Sequence, residues 1–122
     1  MARKNILIVD DSFSIREIVR LTLEREGYEV FVGVDGVDAL NYLDGRRLDL
    51  IITDLHMPNL DGFGLVREIR RRAGYKHVPV LFLTTETNND LKMKAREEGV
   101  TGWLLKPFDM DRLKKTVNKL VR

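Results

Sequence analysis

Short apolar runs alternate with longer amphipathic stretches along the whole chain. Residues 5–9, 28–32, 48–53, 78–83 and 101–105 are rich in Ile, Val and Leu. Runs of this length and composition read as strands buried on both faces of a parallel sheet. The stretches between them follow helical spacing. Ser12-Phe13-Ser14 offers N-cap chemistry, and Ile15, Ile18, Val19 and Leu23 then recur on one face. Gly27 ends that helix. A second helix is expected over residues 36–43, with Val37, Ala39, Leu40 and Leu43 as its apolar positions and Gly45 closing it. Residues 58–62 form a turn. A third helix runs through Leu65, Val66 and Ile69 and ends near Gly74. The fourth, roughly residues 88–98, has a thin apolar stripe with Leu91 and Ala95 as its anchors. The last begins near Asp109 and places Leu113, Val117, Leu120 and Val121 together.

A βα unit repeated five times predicts an α/β domain over residues 1–122, with one parallel sheet and five helices shared between its faces. Right-handed crossovers are expected. The polar residues at the strand ends add a constraint. The first apolar run stops at Asp10-Asp11, the third at Asp54, the fourth at Thr84-Thr85 and the fifth at Lys106-Pro107. Asp10, Asp11 and Asp54 can meet only if the first and third strands are neighbours. The doubly wound, flavodoxin-like order 2-1-3-4-5 makes them so, and their junction is the switch point where ligands bind in such sheets.

Crowded carboxylates repel. Two unit charges about 4 Å apart cost on the order of 4 kcal/mol at an effective dielectric of 20. Either one acid holds a proton or a cation sits among them. Magnesium suits an all-oxygen site and leaves positions for phosphate oxygens. The chain has no cysteine and no histidine pair at ligand spacing, which argues against zinc. With a lysine and a hydroxyl on the rim, the site resembles one that binds a phosphoryl group. One carboxylate could itself attack phosphorus and form an aspartyl phosphate. Spacing alone does not say which.

Composition narrows the setting. The 122 residues are 43% hydrophobic and 33% charged, as in ordinary water-soluble domains. The first apolar run is too short for a signal peptide or a membrane span, so a cytoplasmic protein is expected. A net charge of +2 is too small to imply nucleic-acid binding.

Asp10-Asp11, Asp54 with Met57-Pro58 and Asp61-Gly62, Thr84, and Lys106-Pro107-Phe108 together resemble the receiver domain of bacterial two-component response regulators. The resemblance covers essentially the whole chain and implies specific roles. Asp54 is the phosphoacceptor, supplied by a histidine kinase. Asp11 ligates Mg²⁺ directly, Asp10 acts largely through water, and the His56 backbone carbonyl completes the protein's share with Asp54. Lys106 pairs with Asp54 before phosphorylation and with a phosphoryl oxygen after it. Thr84 moves to the phosphoryl group, and Trp103 is the aromatic that turns inward when it does. His56 and Glu86 occupy positions that tune hydrolysis. Lys106-Pro107 is a candidate cis peptide.

The resemblance also implies a signalling module and not an enzyme beyond self-catalysed phosphoryl acceptance and loss. The run from Leu83 to Thr87, with residues 101–108, is similar to the chemotaxis type, whose phosphorylated form binds the flagellar motor switch. Output is expected from a basic surface near the fourth and fifth helices, carrying Lys92, Lys94, Arg96, Lys114, Lys115 and Lys119. A monomer is expected, with no membrane or nucleic-acid partner. Four alternatives stay open: a phosphorelay intermediate, a receiver cut from a larger regulator, a receiver-like scaffold that is never phosphorylated, and a phosphatase using an aspartyl phosphate. The last would usually need a second acid where this chain has His56.

Overall fold

The computed structural model describes residues 3–121. Its strands are β1 (Asn5–Val9), β2 (Glu29–Gly33), β3 (Leu50–Thr53), β4 (Val80–Thr84) and β5 (Gly102–Leu105). Its helices are α1 (Phe13–Arg25), α2 (Gly36–Ala39), α3 (Gly62–Arg71), α4 (Asn89–Glu97) and α5 (Met110–Leu120). All four strand pairings are parallel and the order is 2-1-3-4-5, which includes the β1–β3 adjacency that the acidic strand ends require.

Period-two alternation sorts each strand between two cores. Leu7, Val9, Ile51, Val80 and Phe82 pack with Phe63, Leu65, Val66 and Ile69 of α3 and Ala95 of α4. Ile6, Ile8, Leu50, Ile52, Leu81, Leu83 and Leu104 pack with Val19 and Leu23 of α1 and Leu113 and Val117 of α5. So α2, α3 and α4 cover one face, and α1 and α5 the other.

Every helix starts on a side-chain cap. Ser12, Asp35, Asp61, Asn88 and Asp109 each accept a backbone N–H from the first turn. The helix expected over residues 36–43 is shorter than its pattern. It is α-helical only to Ala39 and tightens into a 3-10 turn over Leu40–Tyr42. Tyr42 donates its hydroxyl to the Val32 carbonyl, which draws this segment onto β2. On α1, Ile18 belongs to the apolar spacing yet is exposed, because Val19 and Leu23 fill the sheet-facing positions.

α4 is the weakly packed element that its sequence implied. Ala95 is its buried residue, and Met93 is 60% exposed. Its C-terminal end is tied down by polar contacts instead. Arg67 donates to both oxygens of Glu98, at 2.8 and 3.4 Å. Arg70 reaches the Gly99 carbonyl at 2.8 Å and the Val78 carbonyl at 2.6 Å.

The start of α3 lies against the end of β3. A Cβ on Gly62 would stand 2.7 Å from the Asp54 carbonyl oxygen and 2.9 Å from the Leu55 Cα. Gly62→Ala should therefore cost about 1–3 kcal/mol through forced displacement. Gly74→Ala, where the added methyl meets nothing within 4 Å, should stay within about 0.5 kcal/mol of the parent. Urea unfolding midpoints measure both.

Candidate functional site

Backbone pairing carries the polar residues beyond the strand ends to one place. The Asp10 N–H donates to the Gly33 carbonyl, the Asp54 N–H to the Val9 carbonyl and the Lys106 N–H to the Thr84 carbonyl. These bonds extend the ladder one residue past each strand. Asp10, Asp11 and Asp54 thereby offer carboxylate oxygens that all lie within 4.8 Å of one another. The three differ in environment: Asp10 is buried, Asp11 exposed and Asp54 between. Such an all-oxygen donor set fits a hard divalent cation.

Lys106 lies between two of the acids. Its ammonium is 2.7 Å from Asp10 Oδ2 and 3.2 Å from Asp54 Oδ2. The expected pairing with Asp54 is present, but the shorter contact goes to Asp10. The reason is burial: Asp10 is 1% exposed and has the greater need of a partner. Burial lifts the Asp10 carboxyl above its ordinary pKa, against the pull of Lys106 and of the Ser12 N–H. Burial also works against the Lys106 charge, but the contacts with Asp10 and then Asp54 outweigh it and raise the lysine. The ammonium thus stays charged throughout the neutral range. The Lys106-Pro107 peptide is cis.

Thr84 is fully buried at the end of β4, and its Oγ1 accepts the Glu86 N–H at 3.1 Å. Glu86 is itself a junction. Its Oε1 is 2.9 Å from His56 Nε2, and its Oε2 accepts the N–H of Asn88, the cap of α4. These bonds, His56 first, hold the Glu86 carboxyl below its usual pKa. The resemblance groups His56 and Glu86 as positions that tune hydrolysis; the structure joins the two side chains directly, across the loops that follow β3 and β4.

Trp103 lies on the α4 face of β5. Its ring centroid is 5.9 Å from that of Phe82, which meets Phe63 edge-on. Its indole N–H is buried without an acceptor among the described residues. The basic surface is less unified than the sequence suggested. Lys94 turns to the Phe63 ring on α3, with its ammonium 4.4 Å from the centroid. Lys114 lines a cleft with Thr22 and Arg25 of α1. Lys92 stays beside Trp103, where a shallow groove also takes in Arg112. Arg112 was not among the sequence candidates; its place one turn into α5, next to the Lys106-Pro107 loop, was the available signal.

Helical spacing puts Arg16 on the polar face of α1 and assigns it no contact. It sits on the first turn of α1 and donates to the Asp10 backbone carbonyl at 2.6 Å. Its position six residues after Asp10, where a long side chain can fold back over a helix start, was the only clue.

With this geometry, the likenesses to known proteins are specific. The family model for the response regulator receiver domain matches residues 6–118. The chain is 36% identical over 116 residues to a chemotaxis protein CheY of Pseudomonas aeruginosa, covering 94% of each. Among solved structures, Vibrio cholerae chemotaxis protein CheY4 superposes with a TM-score of 0.93 at 44% identity, over 98% of this chain and 99% of that one. The receiver domain of the P. aeruginosa sensor histidine kinase PA1611, solved with a magnesium ion coordinated in its active-site cleft, gives 0.89 at 28% identity over 98% of each. Agreement of this extent, in sequence and in strand order, places the chain in the response regulator receiver family.

Proposed function

We propose that the chain is a phosphorylation-switched signalling module in which Asp54 accepts a phosphoryl group from a histidine kinase. The observation that supports this reading most is the single lysine held between Asp10 and Asp54, beside three acids whose oxygens lie within 4.8 Å. Asp10, Asp11, Asp54 and the His56 carbonyl would hold Mg²⁺, which when bound neutralises charge on the acids and on the incoming phosphoryl oxygens. An Asp54 carboxylate oxygen attacks phosphorus, the phosphorus–nitrogen bond to the donor histidine breaks, and the imidazole leaves with its bonding pair. Lys106 supplies a fixed positive charge to the transferred group. The Thr84 Oγ1 accepts the Glu86 N–H and keeps its own proton to donate to a phosphoryl oxygen; movement of that oxygen towards the phosphoryl group pulls on the loop that caps α4. Trp103 and the weakly packed α4 respond, and the face formed by α4, β5 and α5 presents the changed surface to a target.

Similarity to two chemotaxis regulators over nearly their full lengths favours a chemotaxis role, with the flagellar motor switch as target. The protein acts as a switch and not as a turnover enzyme, and its place is the cytoplasm; among the described residues no helix is long and apolar enough to cross a membrane.

Intact mass after treatment with a small phosphodonor and Mg²⁺ tests the chemistry. The parent should gain one phosphoryl group and Asp54→Asn none. Labelling of both, or of neither, removes the proposal.

The shared lysine makes a second prediction. Lys106→Met leaves Asp10 and Asp54 facing each other without a cation, and should cost up to about 3 kcal/mol at neutral pH without metal. The sign with pH follows from the Asp10 carboxyl, already raised by burial and raised further in the variant. A raised carboxyl favours the fold below its unfolded pKa, and that gain is lost as pH rises through the folded value. The deficit of the variant should therefore shrink as pH falls from 7 towards 4.5, as read from urea midpoints.

The His56–Glu86 contact makes a third. If the two act as one unit on water access, the dephosphorylation rates of His56→Asn, Glu86→Gln and the double variant should be non-additive by about 0.5 kcal/mol or more, roughly twofold in rate. Strict additivity would show two independent residues.

A further inference from the structure

We infer that Arg16 is a positioning residue that aims Asp11 at the magnesium ion. This rests on the metal-site reading above and goes beyond it. All four polar groups of Asp10 are engaged by the protein. Its N–H donates to the Gly33 carbonyl, Oδ1 accepts the Ser12 N–H at 2.9 Å, Oδ2 meets Lys106 at 2.7 Å, and its carbonyl accepts Arg16 Nη1 at 2.6 Å. The last contact differs from the others in what it controls. The Asp10 carbonyl and the Asp11 nitrogen lie in one rigid peptide plane. Fixing that carbonyl fixes the plane from which the Asp11 Cα departs. Asp11 is the exposed member of the acidic trio and has no burial to hold it in place.

Arg16 is suited to this task by its surroundings. It is half-buried on the first turn of α1, and its guanidinium carbon lies 5.7 Å from the centroid of the Phe13 ring. That ring is 68% exposed and covers the cation without filling a core position. The guanidinium thus bridges the helix start to the end of β1, across the turn that carries both acids. Partners one step out from a metal typically change its affinity 10- to 100-fold, by orienting the ligands themselves.

Two effects of Arg16 on a bound dication have opposite signs, which makes the inference testable. As a charge, Arg16 repels magnesium, and removing it should tighten binding. As an orienting group, it helps Asp11, and removing it should weaken binding. The metals also differ in tolerance. Mg²⁺ demands near-ideal octahedral geometry, whereas Ca²⁺ accepts variable coordination. Misaiming Asp11 should therefore harm Mg²⁺ more than Ca²⁺, a discrimination that neither lost charge nor lost stability would produce.

The experiment is calorimetric titration of the full chain with MgCl₂ and, separately, CaCl₂, on the parent, Arg16→Ala and Arg16→Lys. Melting curves in chelator establish that each variant is folded. Arg16→Ala should bind Mg²⁺ about 10- to 100-fold more weakly, with a smaller change for Ca²⁺. Arg16→Lys keeps the charge but loses the planar fork, and should lose Mg²⁺ over Ca²⁺ preference in the same direction by less. A Mg²⁺ to Ca²⁺ affinity ratio equal to the parent's in the folded variants, or tighter Mg²⁺ binding by Arg16→Ala, overturns the inference and leaves the proposed function standing. Failure of the parent itself to bind Mg²⁺ overturns both.

Discussion

One ammonium group against three carboxylates governs this end of the sheet. Asp10, Asp11 and Asp54 follow two neighbouring strands, so the topology brings them together whether or not their charges agree. Lys106 reaches them because β5 delivers it across β4, through the bond from its N–H to the Thr84 carbonyl. At 2.7 Å from Asp10 and 3.2 Å from Asp54, it offsets part of the repulsion and no more. Three negative charges and one positive leave two negative charges at the site. A dication is the smallest addition that balances them. The fold therefore tolerates its own strand ends through one lysine, and the remaining imbalance suits the site to a cation.

That constraint explains why so much of the fold was readable from the chain. The adjacency of β1 and β3 follows from asking which strands must be neighbours for Asp10 and Asp54 to meet, the rest of the order comes from the doubly wound arrangement, and buried β1, β3 and β4 carry near-continuous apolar runs. Legibility failed where tertiary contacts override local pattern. Residues 36–43 have a helical apolar spacing, but the Tyr42 hydroxyl on the Val32 carbonyl tightens the second half into a 3-10 turn. Lys94 and Lys114 are lysines on the expected helices, yet one turns to Phe63 and the other to the α1 side. A long side chain's direction depends on which aromatic or cleft is near, and no periodicity encodes that. The candidate site was legible as residue types at strand ends. Its wiring, with Asp10 as the closer partner of Lys106 and Glu86 bonded to His56, depended on burial and loop geometry that the chain shows only when folded.

The same wiring gives α4 an unequal attachment. Its C-terminal end is held by Arg67 on Glu98 and by Arg70 on the Gly99 carbonyl, both donated from α3. Its N-terminal end is held by Asn88, whose own N–H leans on Glu86. Glu86 in turn is bonded through its backbone to Thr84. Apolar packing along α4 is thin: Ala95 is its buried residue, with Leu91 partly buried against the same core. A helix fastened firmly at one end and through a chain of three hydrogen-bonded residues at the other can respond at the second end alone. The loop from Thr84 to Asn88 is the segment that is pulled if the threonine side chain moves to reach another partner. Coupling from site to surface then needs only local exchange of hydrogen bonds and no rearrangement of the sheet.

Charge also decides how far phosphorylation could disturb the balance. On the proposed reading, transfer converts the Asp54 carboxylate, with one negative charge, into an acyl phosphate carrying up to two. The site becomes more negative by as much as one unit while the number of acids able to hold Lys106 falls. Asp10 keeps its contact with the ammonium at 2.7 Å, and the phosphoryl oxygens compete for the same group. Lys106 cannot satisfy both fully, so a further donor is drawn in. Thr84 lies at the next strand end, fully buried, with a hydroxyl engaged by a single backbone N–H. Its hydroxyl proton is not used by that bond, and a hydrogen bond from it to a charged oxygen is about twice as strong as a neutral one. On that reading, a lysine already held 2.7 Å from Asp10 leaves part of the phosphoryl charge for a second donor, and Thr84 is the buried hydroxyl at the next strand end.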